Sequence, residues 1–476
     1  MKLQHIRTSA CYESKMIRRS FLFWVLFFLS IVGITFLQWL LQGKNVQEDW
    51  RWLMHAQEFS FPFINAYLYN IIQAFILIFI STEVFAREQQ QGPLESLHVR
   101  LISNGEYMLG KVVGLLSVFL VMGFISLLLC GGINIWGNPI APFNVWYYLF
   151  YFLTLTVPSL VFFSGFSLWL VWMTRSRVLA TFLLLAILYF SVVRLSEMFH
   201  GTFDFTGSTL SNAFSVSTGH VDGMNYLFHR LAYLLMGGGF IFWTFCCQKR
   251  LPNERRSGVR WTLAGVVLVL VGALFVGLYA GGFVAEERVR EEYRAAFARH
   301  YKEETCRVRY HDIVFQQVGE RMAATSKLVL RNPNKETLLR LILFLNPDLK
   351  VEELLEDGKT LSYTRDEQII SIDRPLAPGD SVCLTLRYAG GLDGRVCYLD
   401  VDQASYYNTR RGEPFFHLGR RHVLLERDAL VLIPEVMWYP MAIPPVHAAS
   451  PALSGREYTS YRLRVVQPVQ PVVVSQ

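Results

Sequence analysis

The sequence predicts a membrane all-α bundle, a six-helix unit plus one extra span, followed by an extracytoplasmic all-β, sandwich-like domain. Three observations predict it. The chain is 52% hydrophobic and 17% charged, too apolar for a wholly water-soluble protein. The apolar excess lies in long runs that end near Phe283, and charged residues are frequent beyond it. From Cys306 onward, turn dipeptides separate short alternating runs, the pattern of strands. The stretch after Phe283, about 190 residues, suffices for a core of its own.

The elements follow in order. Residues 1–20 carry Lys2, Arg7, Lys15, Arg18 and Arg19 and are read as a cytoplasmic segment along the membrane surface. Residues 21–42 are long and apolar enough to span. No small-residue cleavage site follows them, so they are read as a retained span and not as a signal peptide. Residues 44–60 are a short external loop with Trp50, Trp52 and Phe59 at interfacial level. Residues 61–82 return, 112–136 exit, 137–142 turn and 145–173 return again. A small basic loop at 174–177 precedes an outward span at 178–193. Residues 196–225, rich in Ser, Thr, Gly and His, are read as an external loop. Residues 227–247 then close the six-span domain 21–247. A basic loop (248–260), a seventh span (261–283), a helical linker (284–304) and the β domain (305–476) complete the chain. The linker reads AEERVREEYRAAFARHY over 285–301, with opposite charges three and four apart that support a helix.

Charge tests this path. Loops on one side hold Arg87, Arg100, Lys111, Arg175, Arg177, Lys249, Arg250, Arg255, Arg256 and Arg260, and loops on the other hold Lys44 and Arg51. The basic side faces the cytoplasm in multi-pass proteins. The N-terminus is therefore expected inside and everything after Phe283 outside. The net charge of +7 is a topology signal and not a nucleic-acid signal. No chain of acids crosses the spans, so an ion-coupled carrier would lack its relay. Gly131-Gly132 and Gly237-Gly238-Gly239 are read as close-packing points between helices, with hinges as the alternative. Arg194 is read as snorkelling to headgroups, with substrate contact as the alternative.

Residues 83–111, EVFAREQQQGPLESLHVRLISNGEYMLGK, interrupt two apolar segments. Leu94, Leu97, Leu101 and Ile102 share one face if 93–103 is helical. Gly92 permits a sharp entry, Pro93 suits a first turn, and Ser103-Asn104-Gly105 reads as a stop. The helix is either offered to a partner or simply lies on lipid. Glu83, Arg87, Glu88, Gly92, Glu95, Leu97, Glu106, Tyr107, Gly110 and Lys111 together resemble the permease subunits of type-2 ABC exporters. That family's P-I-S-R is met here by Arg100-Leu101-Ile102-Ser103, without the Pro. The resemblance implies a non-catalytic permease in the cell (inner) membrane that exports a substrate and docks this stretch on a separate ATPase subunit. ATP and Mg would sit on that partner, with no cofactor or metal on this chain. A second permease, self or homologue, and membrane lipid would be further partners, and nucleic acid none. Glu83, Arg87, Glu88, Glu95, Leu97 and Lys111 would act mechanically.

In the tail, 322–331, 338–345, 369–372, 381–388 and 458–466 read as strands, and Asp357-Gly358 as a hairpin turn. Leu328 to Asn332, Leu345 to Val351, Leu376 to Ser381, Trp438 to Pro440 and Tyr458 to Val465 look like the N-terminal β domain of the aminopeptidase N family of zinc peptidases. That family holds zinc with H-E-x-x-H; none of the eleven histidines here precedes a Glu. The chain thus resembles the front of a permease–peptidase fusion or a relic that keeps only the β domain. The rival functions are a membrane-anchored peptidase portion and an external peptide- or protein-binding module. Gly358-Lys359-Thr360 lacks the earlier glycine of a phosphate loop, since Glu353 stands there. The seven cysteines contain no C-x-x-C. Cys383 and Cys397 are either a disulfide, if the tail is extracytoplasmic, or free thiols.

Overall fold

The computed structural model describes residues 3–42, 58–90, 103–136, 142–196, 198–212, 214–215, 219–220, 222–247, 255–403, 406, 424–426, 429–444 and 459–466. Among them, seven helices are long and apolar enough to cross a membrane. Contacts divide the chain into two units that part between Gly282 and Phe283.

The first unit begins with helix α1 (Leu3–Arg19) and, after a bend at Ser20, α2 (Phe21–Gln42). Helix α3 (Ser60–Gln90) outlasts the apolar run that predicted it. Helix α4 (Asn104–Trp136) starts earlier than expected. Ser103 accepts the Glu106 N–H at 3.2 Å on its Oγ and the Tyr107 N–H at 3.1 Å on its carbonyl. Ser103-Asn104-Gly105, read as a stop, therefore opens the next helix, because a serine oxygen satisfies the first orphan amides.

Helix α5 (Val145–Tyr151) passes through a π turn (Phe152–Thr156) into α6 (Val157–Thr174). Pro158 has no N–H to donate into that turn, so the ladder widens there. Side chains of α3 cover the loosened carbonyls: Asn70 and Gln73 each stand 3.5 Å from Leu155 O and Thr156 O respectively. Arg175 ends α6 in the left-handed region, and Ser176 caps α7 (Arg177–Phe190), which closes on a second π turn, Ser191–Leu195. Helix α8 (Gly223–Cys247) packs against α6 at glycines. A Cβ on Gly237 would lie 2.5 Å from the Phe162 backbone, and one on Gly239 would meet Gly265 and Val269. These glycines are packing points, as small residues are between membrane helices.

The last span and the charged linker are one uninterrupted helix, α9 (Arg255–His300). The expected change at residue 284 is one of polarity: the helix runs on through Gly281-Gly282 with no proline to end it.

In the second unit, six strands form a sheet: β1 (Arg307–Val318), β2 (Arg321–Arg331), β4 (Leu349–Glu356), β5 (Lys359–Thr360), β8 (Ser381–Gly390) and β9 (Ser460–Val465). Their spatial order is β9-β1-β2-β8-β4-β5, with β9 parallel to β1. A second sheet orders β3 (Leu341–Phe344), β7 (Ile369–Ile372) and β6 (Tyr363–Asp366) as β3-β7-β6. The hairpin at Asp357-Gly358 has φ of 46° and 82°, the left-handed pair of a type I′ turn. Alternate residues such as Leu328, Leu330, Leu384 and Leu386 fill the core with Leu341 and Leu343 of the second sheet.

Arg290 of α9 is fully buried. It donates to the carbonyls of Arg395 (2.9 Å), Cys397 (2.5 Å), Tyr398 (2.7 Å) and Val401 (3.4 Å), and stacks 3.5 Å from the Tyr406 ring centre. Cys383 and Cys397 are both free thiols, not a disulfide. Cys383 points off the face of β8 on which Val382 and Leu384 are buried, whereas Cys397 is itself buried. Burial pushes the Cys397 thiol up, followed by the charge of Glu435.

Candidate functional site

The ends of α3 and α4 that flank residues 91–102 meet α1 in a knot of charge. Arg87 Nη2 lies 3.7 Å from Glu13 Oε1 of α1, and Arg87 Nε lies 3.8 Å from Glu83 Oε1, one turn back on α3. Ser20 donates to Glu83 Oε2 at 3.0 Å. His5 Nδ1 and Glu106 Oε2 are 3.0 Å apart. Glu13 and Glu106 keep only 6% and 8% of their side-chain exposure, so these carboxylates are inside the protein. Lys111 lines the same small cavity as Glu13 and lies over the Tyr107 ring at 4.8 Å.

Backbone shape brings the charges together. A Cβ on Gly110 would strike Ser9 and the Ile6 carbonyl, and one on Gly114 would strike Ala10 and Glu13. Two glycines four apart form a groove on α4 that receives α1 at backbone distance. With α1 seated there, Glu13 and Ile17, four apart on one face, are buried against the bundle. Arg87 sits between its two anions rather than bonded to either: among the described residues its Nε and Nη2 are buried and have no hydrogen-bond partner.

Of the residues predicted here, Glu83, Arg87, Glu106, Gly110 and Lys111 converge at this corner. Gly92, Glu95 and Leu97 lie outside the described residues, as do the side chain of Glu88 and the expected 93–103 helix. Sequence reasoning missed His5, Glu13 and Gly114. The Gly110-x-x-x-Gly114 spacing and a lone acid in a basic helix were the available signals.

A second polar knot occupies the opposite end of the spans. Residues 196–225, expected to be a solvated loop, are largely packed inside over 201–212. Asp204 is fully buried. It accepts from the Thr206 and Ser208 amides (2.9 and 2.8 Å), from their hydroxyls (2.5 and 2.6 Å) and from Ser191 Oγ (3.3 Å). Arg230 of α8, also buried, donates to Ser159 Oγ, Phe205 O and His229 Nδ1 at 3.1, 3.2 and 2.7 Å. That leaves His229 Nε2–H to donate to Gly201 O at 3.0 Å. Asn70, Tyr151, Tyr233 and Tyr279 bond the carbonyls of Thr206, Asn212, Thr202 and His200. The loop escapes solvent because its own hydroxyls and its neighbours' side chains satisfy its backbone.

In both knots serine or threonine hydroxyls donate to a carboxylate, Ser20 to Glu83 and Thr206 and Ser208 to Asp204. Both join helices distant in sequence, and what they can do is carry or resist movement.

Residues 12–193 match the family described as ABC-2 family transporter protein, the membrane component of an ABC transporter. No curated protein matches the chain. Among solved structures, the M1 zinc metallopeptidase from Deinococcus radiodurans is similar at 24% identity, over 19% of this chain and 21% of that one, with a TM-score of 0.17. A mutant of that enzyme bound to a Tyr-ser-ala substrate matches at 22% identity over 19% and 21%, with a TM-score of 0.17. The chain thus spans about a fifth of the length of these structures.

Proposed function

From the match of residues 12–193 to the ABC-2 transporter membrane component, we propose that this chain is the permease subunit of an ATP-driven exporter in the cell (inner) membrane. A separate ATPase subunit binds the connection between α3 and α4, on the cytoplasmic side, and holds the ATP and Mg. A second permease, a copy or a homologue, completes the path across the bilayer.

The observation that carries this reading is the bridge from Glu13 through Arg87 to Glu83. It ties α1 and α3 beside the connection, while the Gly110–Gly114 groove ties α1 to α4. A push on residues 91–102 cannot then tilt one helix alone; it moves three. Partly buried ion pairs suit the task, because separating them leaves a charge uncompensated inside the protein.

The test is purification of the full chain from native membranes and reconstitution with the ATPase that accompanies it. Permease-dependent ATP hydrolysis, lowered by Glu95→Ala or Leu97→Ala, supports the reading. No co-purifying ATPase, together with hydrolysis indifferent to both substitutions, refutes it.

A further inference from the structure

Helix α1 has two different faces. On the inner face Glu13 is engaged by Arg87, and His5 lies 3.0 Å from Glu106 of α4. The outer face ends in Arg18 and Arg19, both exposed. Among the described residues neither forms an ion pair; the Arg18 Nε donates only to the Ser14 carbonyl, at 3.1 Å. Immediately beyond them the chain bends and α2 enters its apolar course. Arg18 therefore stands at the border where a bilayer's headgroups meet its hydrocarbon.

A cleft of about 270 Å³ opens from this point between α1–α2 and α4. Its polar lining is Ser14, Arg18 and Ser117, and the rest is apolar, with Phe23, Trp24 and Phe27 from α2 and Val121, Met122 and Ile125 from α4. The α4 wall runs from Ser117 to Ile125, about 12 Å at the helical rise. The aromatic wall is braced: the Phe23 and Phe27 rings stack at 5.9 Å, Trp24 and Phe27 meet edge-on at 5.5 Å, and Trp24 Nε1 donates to Arg18 O at 2.7 Å. That bond fixes the indole at the depth of the arginine, where interfacial Trp belongs.

We propose that this cleft holds one phospholipid with a net negative headgroup, its phosphate on Arg18 and one acyl chain between α2 and α4. The lining passes from a guanidinium and two serine hydroxyls to apolar side chains, over the distance that separates a phosphate from the upper part of its chain. A docked protein helix would need apolar surface along its length and has no use for a cation at one end. Guanidinium forks suit phosphate oxygens. The bound lipid would lie against α1 on the side away from Glu13 and steady the helix that carries it.

The test uses the full chain in detergent, delipidated and then offered phosphatidylglycerol or phosphatidylcholine of matched chains, with bound lipid counted by native mass spectrometry. One phosphatidylglycerol is expected to be retained about fivefold over phosphatidylcholine, the ratio that about 1 kcal/mol per basic residue at an anionic surface gives. Arg18→Gln should abolish the preference without affecting folding, since the side chain is exposed. Val121→Trp, which fills the cleft, should lower retention of both lipids. Equal retention of the two lipids, a preference that survives Arg18→Gln, or a cleft insensitive to Val121→Trp overturns the proposal. None of these readouts involves an ATPase, so failure here leaves the permease reading intact, and the reverse holds.

Discussion

Neutralising Glu13 and Arg87, singly and together, measures the bridge at the α3–α4 corner. At 3.7 Å, two unit charges attract by roughly 4 kcal/mol with an effective dielectric near 20. Removing both from water returns much of that gain. The two single variants should differ. Glu13→Gln leaves Arg87 with Glu83 still at 3.8 Å, so the cost should be about 1 kcal/mol. Arg87→Gln strands Glu13, whose side chain is 6% exposed, and should cost about 2–4 kcal/mol. Once the carboxylate is gone, losing the guanidinium matters less, so the double variant should fall short of the sum by about 1–2 kcal/mol. Thermal unfolding of the four proteins in one detergent gives the cycle. If the proposed permease role holds, reconstitution gives the functional side: Glu13→Gln should keep partner ATP hydrolysis while transport falls. Additivity within about 0.5 kcal/mol would refute the reasoning, because it would mean the pair is near in space but not joined in energy.

Other substitutions probe the fold and the tail. Gly237→Ala should destabilise the bundle by about 1–3 kcal/mol in thermal unfolding, because the new methyl meets the Phe162 main chain, which cannot yield as a side chain could. Gly110→Leu should expose α1 to proteolysis near its start while α2 stays protected. His311 of β1 is buried with both ring nitrogens lacking a partner among the described residues. Burial lowers its pKa to about 3, against the opposing charge of Asp312. The unfolded chain then binds the extra proton first as pH falls. Stability from this group is complete above about 6.5, is lost toward about 3 and is level below. The fluorescence of buried Trp438 should report that loss, and His311→Phe should flatten it. Native protein should react with maleimide at the half-exposed Cys383 but at Cys397 only after unfolding, and reductant should leave the melting point unchanged.

Much of this architecture was written in local pattern. The α2 boundaries, the Ile369–Ile372 strand and the Asp357-Gly358 hairpin follow from apolar length, alternation and left-handed turn residues, all short-range signals. The glycine packing points follow from size alone. What sequence hid was pairing across distance. Glu13 looks like one acid in a basic surface segment, and only the groove at Gly110 and Gly114 shows that it turns inward. The stretch Asp204 to Ser208 reads as solvated because its composition is polar; burial is tolerated since Thr206 and Ser208 bond back to the carboxylate, a local closure that composition does not reveal. Ser103 was ambiguous for a similar reason. The Ser-Asn-Gly triplet suits a helix end and a helix beginning alike, and the orphan amides of α4 show that it begins one; the stretch it was expected to end lies outside the described residues.

Consider finally the loop whose carbonyls are bonded by side chains of α3, α5, α8 and α9. Helix α8 holds the loop through three side chains, His229, Arg230 and Tyr233, and Ser159 of α6 adds another bond, so loosening any one helix leaves the loop anchored by the others. Release therefore behaves as a latch with a threshold: small excursions of single helices leave the far mouth shut, and only a concerted displacement of several lets it go. In the exporter permease proposed above, such a barrier would hold against leakage between strokes and tie the moment of opening to the simultaneous arrival of strain from more than one direction.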